Sequence, residues 1–151
     1  MMVVVDASVW VSRLVPDDVN HIVSKQWLEQ YSIGDGRLLA PGLLLVEVAA
    51  AVSRRTGKIN LAHAAARRIQ RLPELKLVAM DNHLISQATE IAADFGLRGA
   101  DAIYVAVARH LKVPLVTWDR DQKDRSEKVI TVHTPDSLLK SDEMNGEAKA
   151  R

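Results

Sequence analysis

Short, almost continuously apolar runs alternate along this chain with longer stretches whose apolar residues recur at helical spacing. Residues 2–5, 37–40, 75–79, 115–118 and 129–132 read as strands buried on both faces. Between them, Val19, Ile22, Val23, Trp27 and Leu28 fall on one helical face, capped by Asp17 or Asp18 and ended by Gly34. Further helices are expected over 8–14 (stopped by Pro16), 44–55 (stopped by Gly57), from a cap at Asn60, from Asp81 to Gly96, and over 100–111. Strands of this kind alternating with helices predict an α/β sandwich around a parallel sheet. Right-handed crossovers then place a ligand site outside the carboxyl ends of the strands, where the winding reverses.

That edge is where isolated acids gather in the sequence. Asp6 ends VVVD, Glu47 interrupts LLLVEVAAAV, Asp101 follows a glycine in GADAIYVAVA, and Asp119 follows LVTW. A carboxylate among apolar neighbours loses hydration, and a folded chain keeps it there only with compensation. Each has an ordinary explanation. Asp6 can cap a helix with Ser8, Glu47 can pair with Arg54 or Arg55, Asp101 suits a first helical turn, and Asp119 can open a turn with Asp121. Four of them at strand ends and helix starts ask for a shared cation. If the strands before Asp6 and Asp119 are neighbours, their ends lie about 5 Å apart, within reach of one ion.

Oxygen ligands without nearby Cys or His favour Mg²⁺ or Mn²⁺ over zinc. A hydrated divalent ion in an acidic pocket suits phosphodiester hydrolysis, since it polarises the phosphoryl oxygen and activates water. The expected role is therefore that of a metal-dependent nuclease. Thr117 can orient a carboxylate or a metal-bound water, although threonine is also simply a good strand residue. Arg54, Arg55 and Lys58, and Arg67, Arg68 and Arg71, are exposed faces by default and candidate phosphate contacts. His21, His63, His83, His110 and His133 lack ligand spacing and read as surface, while Trp10, Trp27 and Trp118 read as core or dimer contacts rather than base platforms.

The 151 residues suffice for one domain with a real core, 48% hydrophobic yet only 4% aromatic, so built from Val, Leu, Ile and Ala. The absence of cysteine excludes disulfides and thiolate chemistry and makes the cytoplasm the natural compartment. No signal peptide is visible, and the longest apolar stretch, 38–52, contains Pro41, Gly42 and Glu47 and is too short to span a membrane. A net charge of +1 is weak for a nucleic-acid binder, but acids pooled in one pocket leave the remaining surface more basic. Residues 1–139 are expected to form the domain and 140–151 a polar, frayed tail.

Taken together, VVVDASVW, the Glu of LLLVEVAAAVSR, GLRGADAIYVAVA and LVTWDRD resemble the PIN-domain nucleases, most closely the toxins of VapBC-type toxin–antitoxin pairs. The resemblance runs from Met2 to about Thr134. It implies a three-layer α/β/α fold with strand order 3-2-1-4-5, Mg²⁺- or Mn²⁺-dependent endoribonuclease activity, a homodimer, and inhibition by a small antitoxin. It carries Asp6, Glu47, Asp101 and Asp119 over as the acidic site and Ser8 and Thr117 as polar helpers, with Asp121 and Asp124 within reach of the last motif. The competing reading is a non-enzymatic module, either an RNA-binding scaffold or a receiver-like sheet that also gathers acids around Mg²⁺. A receiver wants an acceptor Asp after the third strand and a Lys after the last central one. Here Asp81 is better explained as a helix cap, and Thr117-Trp118-Asp119 supplies no Lys.

Overall fold

The computed structural model of the protein describes residues 1–150. Five parallel strands form one sheet in the order β3-β2-β1-β4-β5, the order the resemblance implies. They are β1 (Met2–Val5), β2 (Arg37–Pro41), β3 (Leu75–Val78), β4 (Leu115–Val116) and β5 (Val132–His133). The winding reverses between β1 and β4, where Val4 pairs with Leu115 and Val5 with Val116. Val3, Val4, Val5, Leu38, Leu39, Ala40, Leu115 and Val116 are buried, which is why these runs show no polar alternation.

Among the described residues, eight helices connect and cover the strands: α1 (Ala7–Leu14), α2 (His21–Ile33), α3 (Leu43–Thr56), α4 (Ile59–Gln70), α5 (Asn82–Phe95), α6 (Gly99–Leu111), α7 (Arg120–Ser126) and α8 (Pro135–Lys149). α1 packs on α2 and α3, and α3 on α4; α5 pairs with α6, and α6 lies on β1, β2 and β4. Two helix groups on opposite sides of the sheet follow from right-handed crossovers running first one way and then the other from β1. The core is aliphatic, as composition demands; Trp10 and Trp27 join it, and Trp27 stacks on Tyr31 at 5.3 Å.

Differences from expectation have local causes. α2 starts after Asn20 because Asp18 is spent on a turn, accepting from Asn20 N at 2.8 Å. α4 starts at Ile59 rather than after Asn60, and β5 sits at 132–133 rather than 129–132. α7 has no counterpart in the strand-and-helix pattern: RDQKDRS is short and polar, and Asp119 starts it by accepting from Gln122 N at 2.9 Å. Residues 140–149, expected to fray, continue α8. Pro135 opens that helix and Ser137 Oγ accepts from Thr134 N at 3.2 Å, while residues 141–150 are exposed.

Candidate active site

The carboxyl ends of β1 and β4 set the geometry. Asp6 N donates to Val116 O at 2.9 Å, so Asp6 leaves β1 directly beside Thr117. Asp6 caps α1 by accepting from Ser8 N at 2.9 Å through Oδ2. Its other oxygen accepts from Gln122 Nε2 at 3.2 Å. At 5% exposure it is a buried acid, and burial pushes its pKa up against the pull of the Ser8 and Gln122 hydrogen bonds. The capping role and the site role therefore belong to the same side chain.

The strand-end hydroxyls tie the segments together. Ser8 Oγ and Thr117 Oγ1 lie 3.3 Å apart; Trp118 N donates to Ser8 Oγ at 3.1 Å and Asp119 N to Thr117 Oγ1 at 3.0 Å. Trp118 Nε1 in turn donates to the buried Ser24 Oγ at 2.7 Å, fastening the loop after β4 to α2. Asp119 is thus held by its backbone, its cap and an ion pair.

Glu47 lies in the second turn of α3, which starts just beyond the end of β2, and Asp101 in the first turn of α6. Asp101 is approached by Arg98, three residues earlier, but Glu47 does not make the helical pairing a lone acid would seek. Arg55 reaches Asp18 instead, at 2.8 Å, and Glu47 Oε1 is buried without a hydrogen-bond donor. Burial raises the Glu47 pKa against the pull of the Tyr104 hydroxyl beside it, and the charges of Asp6 and Asp101 raise it further. Asp101 is pushed to about 6, first by burial and then by Asp6 and Asp119, with Arg98 opposing. Asp6 and Asp101 repel Glu47, and Asp119 repels Asp6 and Asp101, the electrostatic sign of acids gathered in one place. All four stand at the same edge of the sheet.

Three further residues at this edge carry no signal in the sequence. Arg98, just before α6, brings Nε to 3.3 Å from Asp101 Oδ2 and Nη2 to 3.0 Å from Asp119 Oδ2. The first approach is an ion pair without hydrogen-bond geometry, so Asp101 Oδ2 remains without a donor. Gln122, wholly buried on α7, also points Nε2 at Asp101 O across 3.5 Å. Tyr104 lies one turn past Asp101 with its buried hydroxyl beside Glu47, and burial together with Glu47 holds its pKa far above the ordinary phenol. An Arg before a glycine, a Gln in a polar helix and a Tyr in an apolar one are each ordinary until the fold assembles them.

Other candidates lie outward. Asp121, in the first turn of α7, pairs with Arg125 at 2.8 Å, although its charge is felt at Asp101; Asp124 is exposed. Arg54 and Arg55 follow Glu47 by about two turns, about 10 Å or further along α3, and Lys58 lies beyond its end, at the start of α4. Asp81 accepts from Leu84 N at 2.8 Å, the helix-cap role expected for it. Among the described residues, no three His, Asp or Glu side chains stand close enough to enclose an ion as they are. Arg98 keeps Asp101 and Asp119 to itself.

A family model for the PIN domain matches residues 3–128. The chain belongs to the PIN-domain family. No curated protein matches it. Among solved structures, this PIN domain is similar to the Mycobacterium tuberculosis toxin VapC20, which cleaves the sarcin–ricin loop, with 22% identity over 81% of this chain and 93% of that one at a TM-score of 0.71. It is similar to VapBC2 from Rickettsia felis, bound to a promoter DNA fragment, with 12% identity over 89% and 98% at 0.68. FitAcB from Neisseria gonorrhoeae gives 18% identity over 89% and 98% at 0.64. No helix of the PIN domain, among the described residues, is long and apolar enough to cross a membrane.

Proposed function

We propose that this PIN domain is a divalent-metal-dependent endoribonuclease, hydrolysing RNA phosphodiester bonds as the toxin of a toxin–antitoxin pair. The observation that carries the reading is a pair of buried carboxylate oxygens beside the buried Asp6 that lack a well-formed hydrogen bond, Glu47 Oε1 near the Tyr104 hydroxyl and Asp101 Oδ2 near Arg98. Buried acceptors of this kind are costly, and a cation satisfies both together. The donors are all oxygen, which fits Mg²⁺ or Mn²⁺. Asp6, Glu47 and Asp101 would hold the ion, with Asp119 completing the set.

A bound divalent ion supplies Lewis acidity at the phosphoryl oxygen and a more acidic attacking water. The chain's own part is positional. Ser8 and Thr117 hold the β1 and β4 ends in register, so that Asp6 and Asp119 face each other. Gln122 fixes the rotamer of Asp6. Arg54 and Arg55 in the last turn of α3, and Lys58 just beyond it, would contact further phosphates of a bound RNA strand.

Solved relatives that are toxin–antitoxin complexes support a small antitoxin as partner. The same reading makes the assembled form a homodimer in the cytoplasm. Cleavage of total RNA in the presence of Mg²⁺ or Mn²⁺, abolished by EDTA, tests the activity. The double variant Asp6→Asn/Asp101→Asn is expected to fold and to lose cleavage; RNA cleavage at the wild-type rate by that variant would overturn the assignment.

A further inference from the structure

Among the described residues, Arg98 is the one basic side chain inside the acidic edge, and its position is unusual for a structural ion pair. It spans two carboxylates on different segments, Asp101 at 3.3 Å and Asp119 at 3.0 Å. Yet its own side chain is 69% exposed, so nothing walls the guanidinium into that place. It does no capping work for α6, whose N-cap makes no side-chain hydrogen bond. Its approach to Asp101 lacks hydrogen-bond geometry and leaves Oδ2 without a donor. A bridge this open is weakly held.

We propose that Arg98 is an exchangeable counter-cation: it neutralises Asp101 and Asp119 while the metal is away, is displaced when the ion binds, and then holds a phosphate of the RNA. The inference rests on the nuclease reading above and adds a residue and an order of events to it. With the ion among the carboxylates, a guanidinium at the same oxygens meets a like charge and loses its partners to it. Freed, it stands at the rim of the pocket with five N–H donors in a planar fork that matches phosphate oxygens. The metal and the substrate are thereby coupled, since the ion releases the group that receives the RNA.

The test is Mn²⁺ calorimetry and RNA kinetics on the full-length wild type, Arg98→Ala and Arg98→Lys. Removing the competing charge in Arg98→Ala is expected to tighten Mn²⁺ binding by about tenfold, with Arg98→Lys in between. The same Arg98→Ala protein is expected to raise KM for a short single-stranded RNA by about tenfold while kcat changes less than threefold. Circular dichroism of both variants checks that the fold is kept, and the lysine variant preserves the comparison if the alanine variant is poorly folded. Mn²⁺ affinity in Arg98→Ala that is unchanged or weaker overturns the counter-cation role, and an unchanged KM overturns the phosphate role. If the wild type itself binds no Mn²⁺ and cleaves no RNA, the nuclease reading fails instead.

Discussion

Gln122 Nε2 donates to Asp6 Oδ1 across 3.2 Å, joining residues 116 positions apart in the chain. Gln122 is completely buried, and it is the only buried residue of α7 besides Ser126. One amide therefore seats a short polar helix and orients the most buried acid of the site. Gln122→Ala removes the donor, opens a cavity and leaves Asp6 with Ser8 alone. We expect a loss of about 1–3 kcal/mol in urea denaturation. RNA cleavage should fall further than stability alone explains, as judged by rates at a temperature where both proteins are folded.

The acids make the metal-free fold sensitive to pH in a defined direction. Asp101 has a folded pKa near 6 against 3.8 for the free side chain. Between those values the folded chain binds more protons than the unfolded one, so stability falls as pH rises through that window. Asp6 and Glu47 are shifted the same way. Differential scanning calorimetry in EDTA should show their contribution as a Tm that declines between about pH 4 and pH 6, and Mn²⁺ should restore it at pH 7. Asp101→Asn should raise the metal-free Tm at pH 7 by a few degrees. A metal-free Tm for that variant at or below the wild-type value would contradict this account.

Trp118 holds the loop after β4 at a distance from the acids. Its indole N–H donates to Ser24 Oγ at 2.7 Å, and Ser24 Oγ also lies 2.6 Å from Ser12 Oγ. Trp118→Phe breaks the outer link of this buried chain while keeping most of the apolar body. A cost of about 1 kcal/mol is expected in chemical denaturation. Because Asp119 follows in sequence, kcat should drop more than KM changes; a purely packing role predicts a Tm change with kcat intact.

Arg54, Arg55 and Lys58 are expected to contribute binding rather than chemistry. Neutralising them together should raise KM for RNA with little change in kcat, and should flatten the salt dependence of binding. For single-stranded RNA the slope of log affinity against log salt should shrink by about 0.7 for each phosphate no longer neutralised. An unchanged slope in fluorescence anisotropy titrations would place the RNA elsewhere. Arg55 has a second attachment, to Asp18 at 2.8 Å, so its single variant should show the smallest effect of the three.

β1, β2 and the start of β4 are legible in the sequence because burial on both faces removes polar alternation, whereas β3 is only partly buried and β5 is displaced from its expected run; Asp81 is legible as a cap because an apolar helical face follows it. Asp6 and Asp119 each visibly close an apolar run, but that β1 and β4 are neighbours at the switch point is implied by the family resemblance and not by the runs. What stays hidden is what tertiary packing alone defines. α7 has no apolar stripe, and its burial depends on a single glutamine reaching a residue from the opposite end of the chain. Arg98 becomes informative only when the start of α6 is set beside the start of α7, because an arginine in a loop has no periodicity to betray it. Asp119 suits either a pocket acid or the opening of a turn by its sequence; in the fold it caps a helix and joins the ion pair at once.

The sheet's ordering also has a temporal side. β1 is synthesised more than a hundred residues before its neighbour β4, which begins only at Leu115. A polypeptide made only as far as β3 contains Asp6 and Glu47 and can pair β1 with β2, but it lacks Asp101, Asp119 and the β4 end that form the other half of the site. For a protein whose proposed target is RNA, translation itself supplies a safety interval: the translating machinery meets no finished blade until Asp119 and the helix it caps have been made.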